Sequence, residues 1–144
     1  MTTVHDVEPE KLINAISKDF KGKEEFKAPE WTKWVKLGRH KEKPPMNRDW
    51  WSTRLAAVLR AVSVKGPIGI EKLRTKYGGR KKFSRKPKRF VKASGNVIRK
   101  LMQQLETTGL VEKDKNKKGR IITKKGQSML DKTAARLVKE EKKK

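Results

Sequence analysis

Between Arg80 and Lys92 the chain reads RKKFSRKPKRFVK: eight of thirteen residues are Lys or Arg, and no acid stands among them. Side chains of these types at such density do one kind of chemistry. They make charge-assisted hydrogen bonds to anions, the guanidinium as a bidentate fork and the ammonium as a mobile point charge. A free segment of this charge repels itself, so a polyanion is the natural neighbour; a solvated stretch that only keeps the chain soluble is the plainer alternative. The rest of the sequence favours the polyanion. Forty Lys and Arg stand against sixteen Asp and Glu in 144 residues, a net charge of +24. From Arg80 to Lys125, seventeen basic residues face three acids, Glu106, Glu112 and Asp114, whereas Met1 to Gly79 holds seventeen against ten. The anion-binding surface is therefore expected in the second half.

No residue constellation supports catalysis. His5 and His40 are far apart, have no partner at metal-ligand spacing, and read as surface residues. The acid pairs Glu24 with Glu25 and Glu140 with Glu141 sit in charged runs rather than in an apolar setting that would raise a carboxylate pKa for acid catalysis. No GxxxxGK, HExxH or GxSxG occurs. The absence of cysteine removes a disulfide scaffold, a thiolate zinc site and a thiol nucleophile. We read no enzyme, no cofactor, no metal and no small-molecule substrate. The start MTTVHDVEPEKL has neither a basic nor an apolar leader region, and no apolar run nears the roughly 18 residues of a membrane span, so a cytoplasmic chain without a membrane partner is expected.

The elements that must position the cations follow from periodicity. A first helix starts near Pro9, capped by Asp6 or Glu8, with Leu12, Ile13, Ile16 and Phe20 on one face. The prolines and glycines that follow leave room for only a short helical piece around Trp31, Trp34 and Val35, and the Trp pair reads as core packing rather than a ligand cage. NRDWWSTRLAAVLRAVSVKG makes the strongest helix, capped by Asn47 or Asp49 and closed by Gly66 and Pro67. Trp51, Leu55, Val58, Leu59 and Val62 share one face while Trp50, Ala56, Ala57 and Ala61 fill the other, which marks a central helix. Arg54 and Arg60 interrupt it and are expected to be exposed to a specific partner rather than to surface carboxylates. GIEKLRTKYGG gives a short helix with Ile70, Leu73 and Tyr77 inward. Ser94 then caps a helix whose stripe Val97, Ile98, Leu101 and Leu105 opposes Arg99, Lys100, Gln103 and Thr107. LVEKDKNKKGRIIT is a hairpin around a turn at Gly119, and Thr123 caps a last helix with Leu130, Ala134 and Leu137 inward.

Helix, short helix, amphipathic helix and basic hairpin is the order of a winged helix-turn-helix domain, with the Ser94–Thr108 helix in the recognition place and Leu110–Thr123 as the wing. The predicted fold is thus mainly α: a winged helix-turn-helix-like domain around a central helix, with a small β-hairpin wing and additional N- and C-terminal helices. It spans residues 1–138 as one RNA-binding domain, and 139–144 form a flexible basic tail. One feature departs from an ordinary DNA reader. The connection from Gly78 to Ala93 is a long basic loop where a tight turn is usual, and a loop of this charge suits irregular RNA phosphates better than a major groove. Its Phe83 and Phe90 could stack on bases or anchor the loop to the core; anchoring is the reading adopted. The loop is expected to be ordered by RNA. A winged-helix DNA-binding regulator is the alternative function.

Five blocks carry a resemblance: PEWTKWVKLGRHKE, DWWSTRLAAVLR, KGPIGIEKLRTKYGGR, GNVIRKLMQQLETTGLVEK and GRIITKKGQSMLDK. In this order, from about Val4 to Leu137, they resemble the small-ribosomal-subunit protein S-nineteen-e family of archaea and eukaryotes, and GPIGIEKLRTKYGGR looks archaeal. The resemblance implies a mainly helical, winged-helix-like fold, a place in the head of the small ribosomal subunit on its ribosomal RNA, and a role in subunit assembly and precursor-rRNA maturation. It implies neighbouring head ribosomal proteins as partners, with the chain a monomer within the ribosome. The family's basic face carries over to Arg54, Arg60 and Arg99. As a charge pattern, the expected RNA-binding set also takes in Arg39 and Lys41; Arg80, Lys81, Lys82, Arg85, Lys86, Lys88, Arg89 and Lys92 of the loop; Lys100; and Lys117, Lys118 and Arg120 of the wing.

Overall fold

The computed structural model describes residues 1–143. Five helices and two small antiparallel hairpins follow in the order α1 (Pro9–Phe20), α2 (Trp50–Lys65), α3 (Ile70–Lys76), β1 (Gly79–Lys81), β2 (Arg89–Val91), α4 (Gly95–Thr107), β3 (Val111–Lys113), β4 (Arg120–Ile122) and α5 (Lys124–Lys142). This is the expected mainly helical, winged-helix-like arrangement, with β3 and β4 as the wing.

Helix α2 lies at the centre because it has almost no polar face to give to water. Trp51, Leu55, Ala56, Val58, Leu59, Ala61 and Val62 are all buried, and α1, α4 and α5 each bury a stripe against it. From α1 come Leu12, Ile16 and Phe20, from α4 come Val97, Ile98, Leu101, Met102 and Leu105, and from α5 come Leu130 and Ala134. Burying side chains of this kind contributes about 1.5–3 kcal/mol each relative to exposure. Among the polar links between the core helices, one joins three segments. The Trp51 indole Nε1 donates to Gln104 Oε1 at 2.9 Å, and Gln104 Nε2 donates to the Lys27 carbonyl at 2.9 Å, joining α2, α4 and the segment after α1.

Several local expectations are corrected. Glu8, Asp49 and Ser94 occupy the N-cap positions of α1, α2 and α4, yet none makes a side-chain cap bond. Asp6 accepts from Thr3 instead, and Asn47 Oδ1 accepts from the Asp49 N–H. Thr123 does cap α5, accepting from the Gly126 N–H at 3.2 Å. Trp31 packs edge-on to Trp51 with ring centroids 5.8 Å apart, but Trp34 stands outside at 72 % exposure, because the short 3-10 turn Glu30–Lys33 ends just before it. Residues 139–142, expected as flexible tail, continue α5, where Glu141 reaches Lys11 of α1 at 2.9 Å.

The connection expected as a long loop is a hairpin. Gly79, Arg80 and Lys81 pair with Val91, Phe90 and Arg89, leaving residues 82–88 as its tip. A second pairing extends it, since Gly38 bridges antiparallel to Ala93 and the Ser94 N–H donates to the Leu37 carbonyl at 3.0 Å. Residues 37–40 therefore form a strap along β2. Helix α3 holds the other side: Arg74 Nε donates to the Ala93 carbonyl and the Arg74 carbonyl accepts from the Ala93 N–H, both at 3.0 Å. Glu71 completes the joint by accepting from Arg74 at 2.7 Å and from Lys92 at 2.8 Å. The wing is joined elsewhere. Ile68, between α2 and α3, bridges Arg120 with reciprocal bonds of 3.1 and 3.0 Å. Gly119, at φ 136°, sits so close to the Ile68 backbone that a Cβ would lie 2.5 Å from its carbonyl carbon.

Two outcomes follow. Leu101 is fully buried on the α4 stripe, so Leu101→Asp should cost about 4 kcal/mol or more and abolish the cooperative melting transition seen by circular dichroism. A normal melt would place the apolar face of α4 wrongly. Hydrogen bonds from Lys92 and then Arg74 hold Glu71 at about 2, below the ordinary 4.5. A carboxylate so depressed stabilises the fold above its ordinary pKa, and that stabilisation is lost as pH falls toward 2. Between pH 4.5 and 2 the melting temperature should therefore fall less in Glu71→Gln than in the wild type, and parallel curves would show the joint to be energetically silent.

Candidate nucleic-acid interface

The cations expected to bind an anion fall into three groups. The first lies where α3 meets α2. Arg54, half-buried on α2, stacks its guanidinium over the Tyr77 ring at 4.1 Å. Burial lowers the Arg54 pKa, and burial raises that of the Tyr77 hydroxyl against the pull of Arg54 and Arg60. Burial also lowers Lys76, with Lys65 and Arg60 adding like charge. No carboxylate is among the groups acting on Arg54, Lys76 or Tyr77. Arg60 is half-buried and its Nε is buried with no hydrogen-bond partner in the protein. Arg54 and Arg60 are thus spared from surface carboxylates, as the sequence suggests, but they are tethered half-buried groups rather than free arms. Beside them Lys65, Lys72, Lys76 and Thr75 line an open groove of about 570 Å³. The sequence reading missed these lysines. Their signal was the four-residue spacing of Lys72 and Lys76 on one face of α3.

The second group is the β1–β2 hairpin. Arg80, Lys82, Arg85, Lys86, Lys88 and Arg89 are exposed, while Lys81 is half-buried with Nζ 5.7 Å from the Phe83 ring. Lys92 is bound to Glu71, so it shares its charge with the fold. The strap contributes Arg39 and Lys41, both exposed. His40 is half-buried rather than fully exposed: its ring lies between Gly38 and Gly79, where added Cβ atoms would come within 2.7 and 2.9 Å of it. Burial first, then Lys41 and Arg54, lowers its pKa, and the ring stands as a spacer between strap and hairpin. Phe90 corrects the expected anchoring of both phenylalanines, for it is 53 % exposed while Phe83 is half-buried against Lys81.

The third group is on α4 and the wing. Arg99 and Lys100 stand exposed opposite the buried stripe, as predicted, and so do Gln103 and Thr107. Lys117 and Lys118 are exposed at the wing tip, with Lys117 at φ 56°. Arg120 differs. Its Nε meets Glu106 at 3.3 Å and its side chain is only 19 % exposed, so it ties the wing to α4 rather than facing an open surface.

Chemically, these groups can bind anions such as phosphates. Hydrogen-bond donors dominate all three, and among the described residues no set of three His, Asp or Glu side chains could hold a metal ion. The hairpin leads directly into the N-terminus of α4, which lies where a helix-turn-helix protein would enter a DNA groove.

The sequence places the chain among known proteins. It matches the family described as Ribosomal protein S19e over residues 3–140. Among curated relatives it is 41 % identical to the small ribosomal subunit protein eS19 of Haloarcula marismortui, over 97 % of this chain and 94 % of that protein. It is 43 % identical to the eS19 of Aeropyrum pernix, over 97 % and 92 %. It is also 40 % identical to the eS19G of the nematode Ascaris suum, over 94 % and 92 %. With the family match running over residues 3–140 and the relatives alike over nearly the whole length, the chain belongs to the Ribosomal protein S19e family.

Proposed function

We propose that this protein is a structural constituent of the small ribosomal subunit that binds ribosomal RNA in the subunit head and supports subunit assembly and precursor-rRNA maturation. One observation carries the reading: cations on α2, α3, α4, both hairpins and the strap are left without acidic partners over several faces of one small fold. A single reading head for a DNA groove needs far less. The relatives' names support the ribosomal part of the proposal. The protein acts as a monomer beside other head proteins, in the cytoplasm, with no substrate to turn over. The wording of GPIGIEKLRTKYGGR supports an archaeal source.

The mechanism is charge compensation with defined geometry. rRNA segments that must approach one another repel through their phosphates. Arginines fixed on helices act as bidentate clips there, and the hairpin lysines act as mobile counter-charge. Each contact releases counterions, so affinity falls steeply with salt.

Sedimentation of a tagged copy through a magnesium-containing gradient tests the proposal. Co-migration with small subunits, released by ribonuclease but not deoxyribonuclease, is expected; migration with chromosomal DNA would favour the regulator. Arg99→Glu should fold normally and fail to enter subunits, and Arg99→Gln should reduce the magnitude of the logarithmic salt slope of RNA binding by about 0.7–0.9. Normal incorporation of a natively folded Arg99→Glu protein would remove α4 from the interface. Arg60→Met keeps the packed stem but removes a charge held among other cations. It should melt at or above the wild-type temperature while binding RNA more weakly, and a lower melting temperature would show that Arg60 serves the fold.

A further inference from the structure

Phe90 is in the wrong place for a structural residue. It sits in the middle of β2 opposite Arg80, in the most cationic segment of the chain, and leaves 53 % of its surface in water. Its ring tip rests on the backbone of Gly78, where an added Cβ would lie 2.8 Å from Cζ. Glycine at 78 leaves the room that lets the ring lie against the main chain. Beside it an open groove of about 640 Å³ runs between β2 and the strap, lined also by Lys36, Arg39, Arg74 and Lys92. That volume is in the range of small-ligand sites.

The charges around this groove are asymmetrically arranged. Arg74 and Lys92 are fixed by Glu71, and Arg74 also by the Ala93 carbonyl. Glu71 itself does not line the groove. Lys36 and Arg39, on the facing strap, are exposed and have no acidic partner among the described residues. A tethered aromatic surface thus adjoins two unpaired cations. An apolar peptide would leave those cations uncompensated, and a bare anion would leave the ring in water. A nucleotide satisfies both, with a flat base for the ring and phosphates for the cations. Bases inside a duplex hide their faces in the stack, so the occupant must be unpaired.

We propose that the groove beside Phe90 binds one unstacked RNA nucleotide, its base on the Phe90 ring and its flanking phosphates on Arg39 and Lys36. This rests on the RNA-binding reading above and adds to it a preference for single-stranded or flipped-out segments at this position. Phe90 is a binding residue here, and the strap and Glu71 are its positioning elements. Because ring and strap are already held in place, binding immobilises little of the protein.

The test uses the full chain and two probes, an oligouridylate single strand and an RNA duplex of the same length, read by fluorescence anisotropy at fixed salt. Phe90→Leu keeps an apolar side chain in β2 but removes the aromatic face. It should weaken single-strand binding about tenfold, with duplex binding and the salt slope unchanged. Arg99→Glu should weaken both probes. In the wild type, irradiation of a strand carrying 4-thiouridine should attach it to the peptide containing Phe90. If Arg99→Glu weakens binding but Phe90→Leu matches the wild type on the single strand, or loses equally on the duplex, the stacking site is wrong and the RNA-binding reading survives. Failure of the wild-type protein to bind either probe overturns both. A cross-link from position 90 to a neighbouring protein rather than RNA in purified subunits would assign the groove to a protein contact.

Discussion

The burial of α2 on nearly every side is the constraint from which the remaining structure follows. A helix with Trp51, Leu55, Val58, Leu59 and Val62 on one face and alanines on the other has no surface it can leave to water. It must be wrapped, and α1, α4 and α5 supply the apolar stripes that wrap it. Once they do, the polar residues of the central helix are forced to its margins. Arg54 emerges against Tyr77 and Arg60 near Lys76, so the core itself fixes where half-buried cations appear.

A chain of net charge +24 then has to place its few acids with care. Several of them stand at joints. Glu71 links α3 to the first hairpin, Glu106 links α4 to the wing, Asp19 meets Arg136 between α1 and α5, and Asp49 meets Lys21 at the start of α2. The exposed pairs among these contribute little stability one by one. Their arrangement matters more: acids used at joints are absent from the faces of α3, α4 and the hairpin that carry the open cations. Stability in this molecule comes from the apolar core, and the electrostatics are left uncompensated for a partner to complete.

Local pattern made much of this legible. The helical periodicity of α1, α2 and α4, the turn chemistry at Gly119 and the Thr123 cap needed nothing beyond near neighbours in the chain, and so did the outward face of Arg99 and Lys100. What escaped the sequence depends on distant partners. The β1–β2 hairpin is hidden because GRK and RFV have no two-residue apolar alternation, and its base is secured by Arg74 and by the strap at Gly38. The withdrawal of Arg120 and Lys92 into ion pairs depends on Glu106 and Glu71, fourteen and twenty-one residues away. Trp34 and Phe90 misled for the same reason, since whether an aromatic residue is covered is decided by what the tertiary fold brings over it. The half-buried His40 depends on two glycines from different segments.

The bridge between Ile68 and Arg120 has a counterpart at the first hairpin, where Gly38 bridges Ala93. The wing is joined to the α2–α3 junction at β4 through Ile68, and its ends are joined to one another through the Thr123 N–H on the Leu110 carbonyl. The first hairpin is fastened likewise, by Arg74 of α3 and by the strap at Gly38. The tip of the first hairpin, residues 82–88, lies outside any helix or strand and projects its charge into solvent. Both hairpins are thus fastened at the base and charged at the tip, so each cationic tip is offered at a set distance from the core.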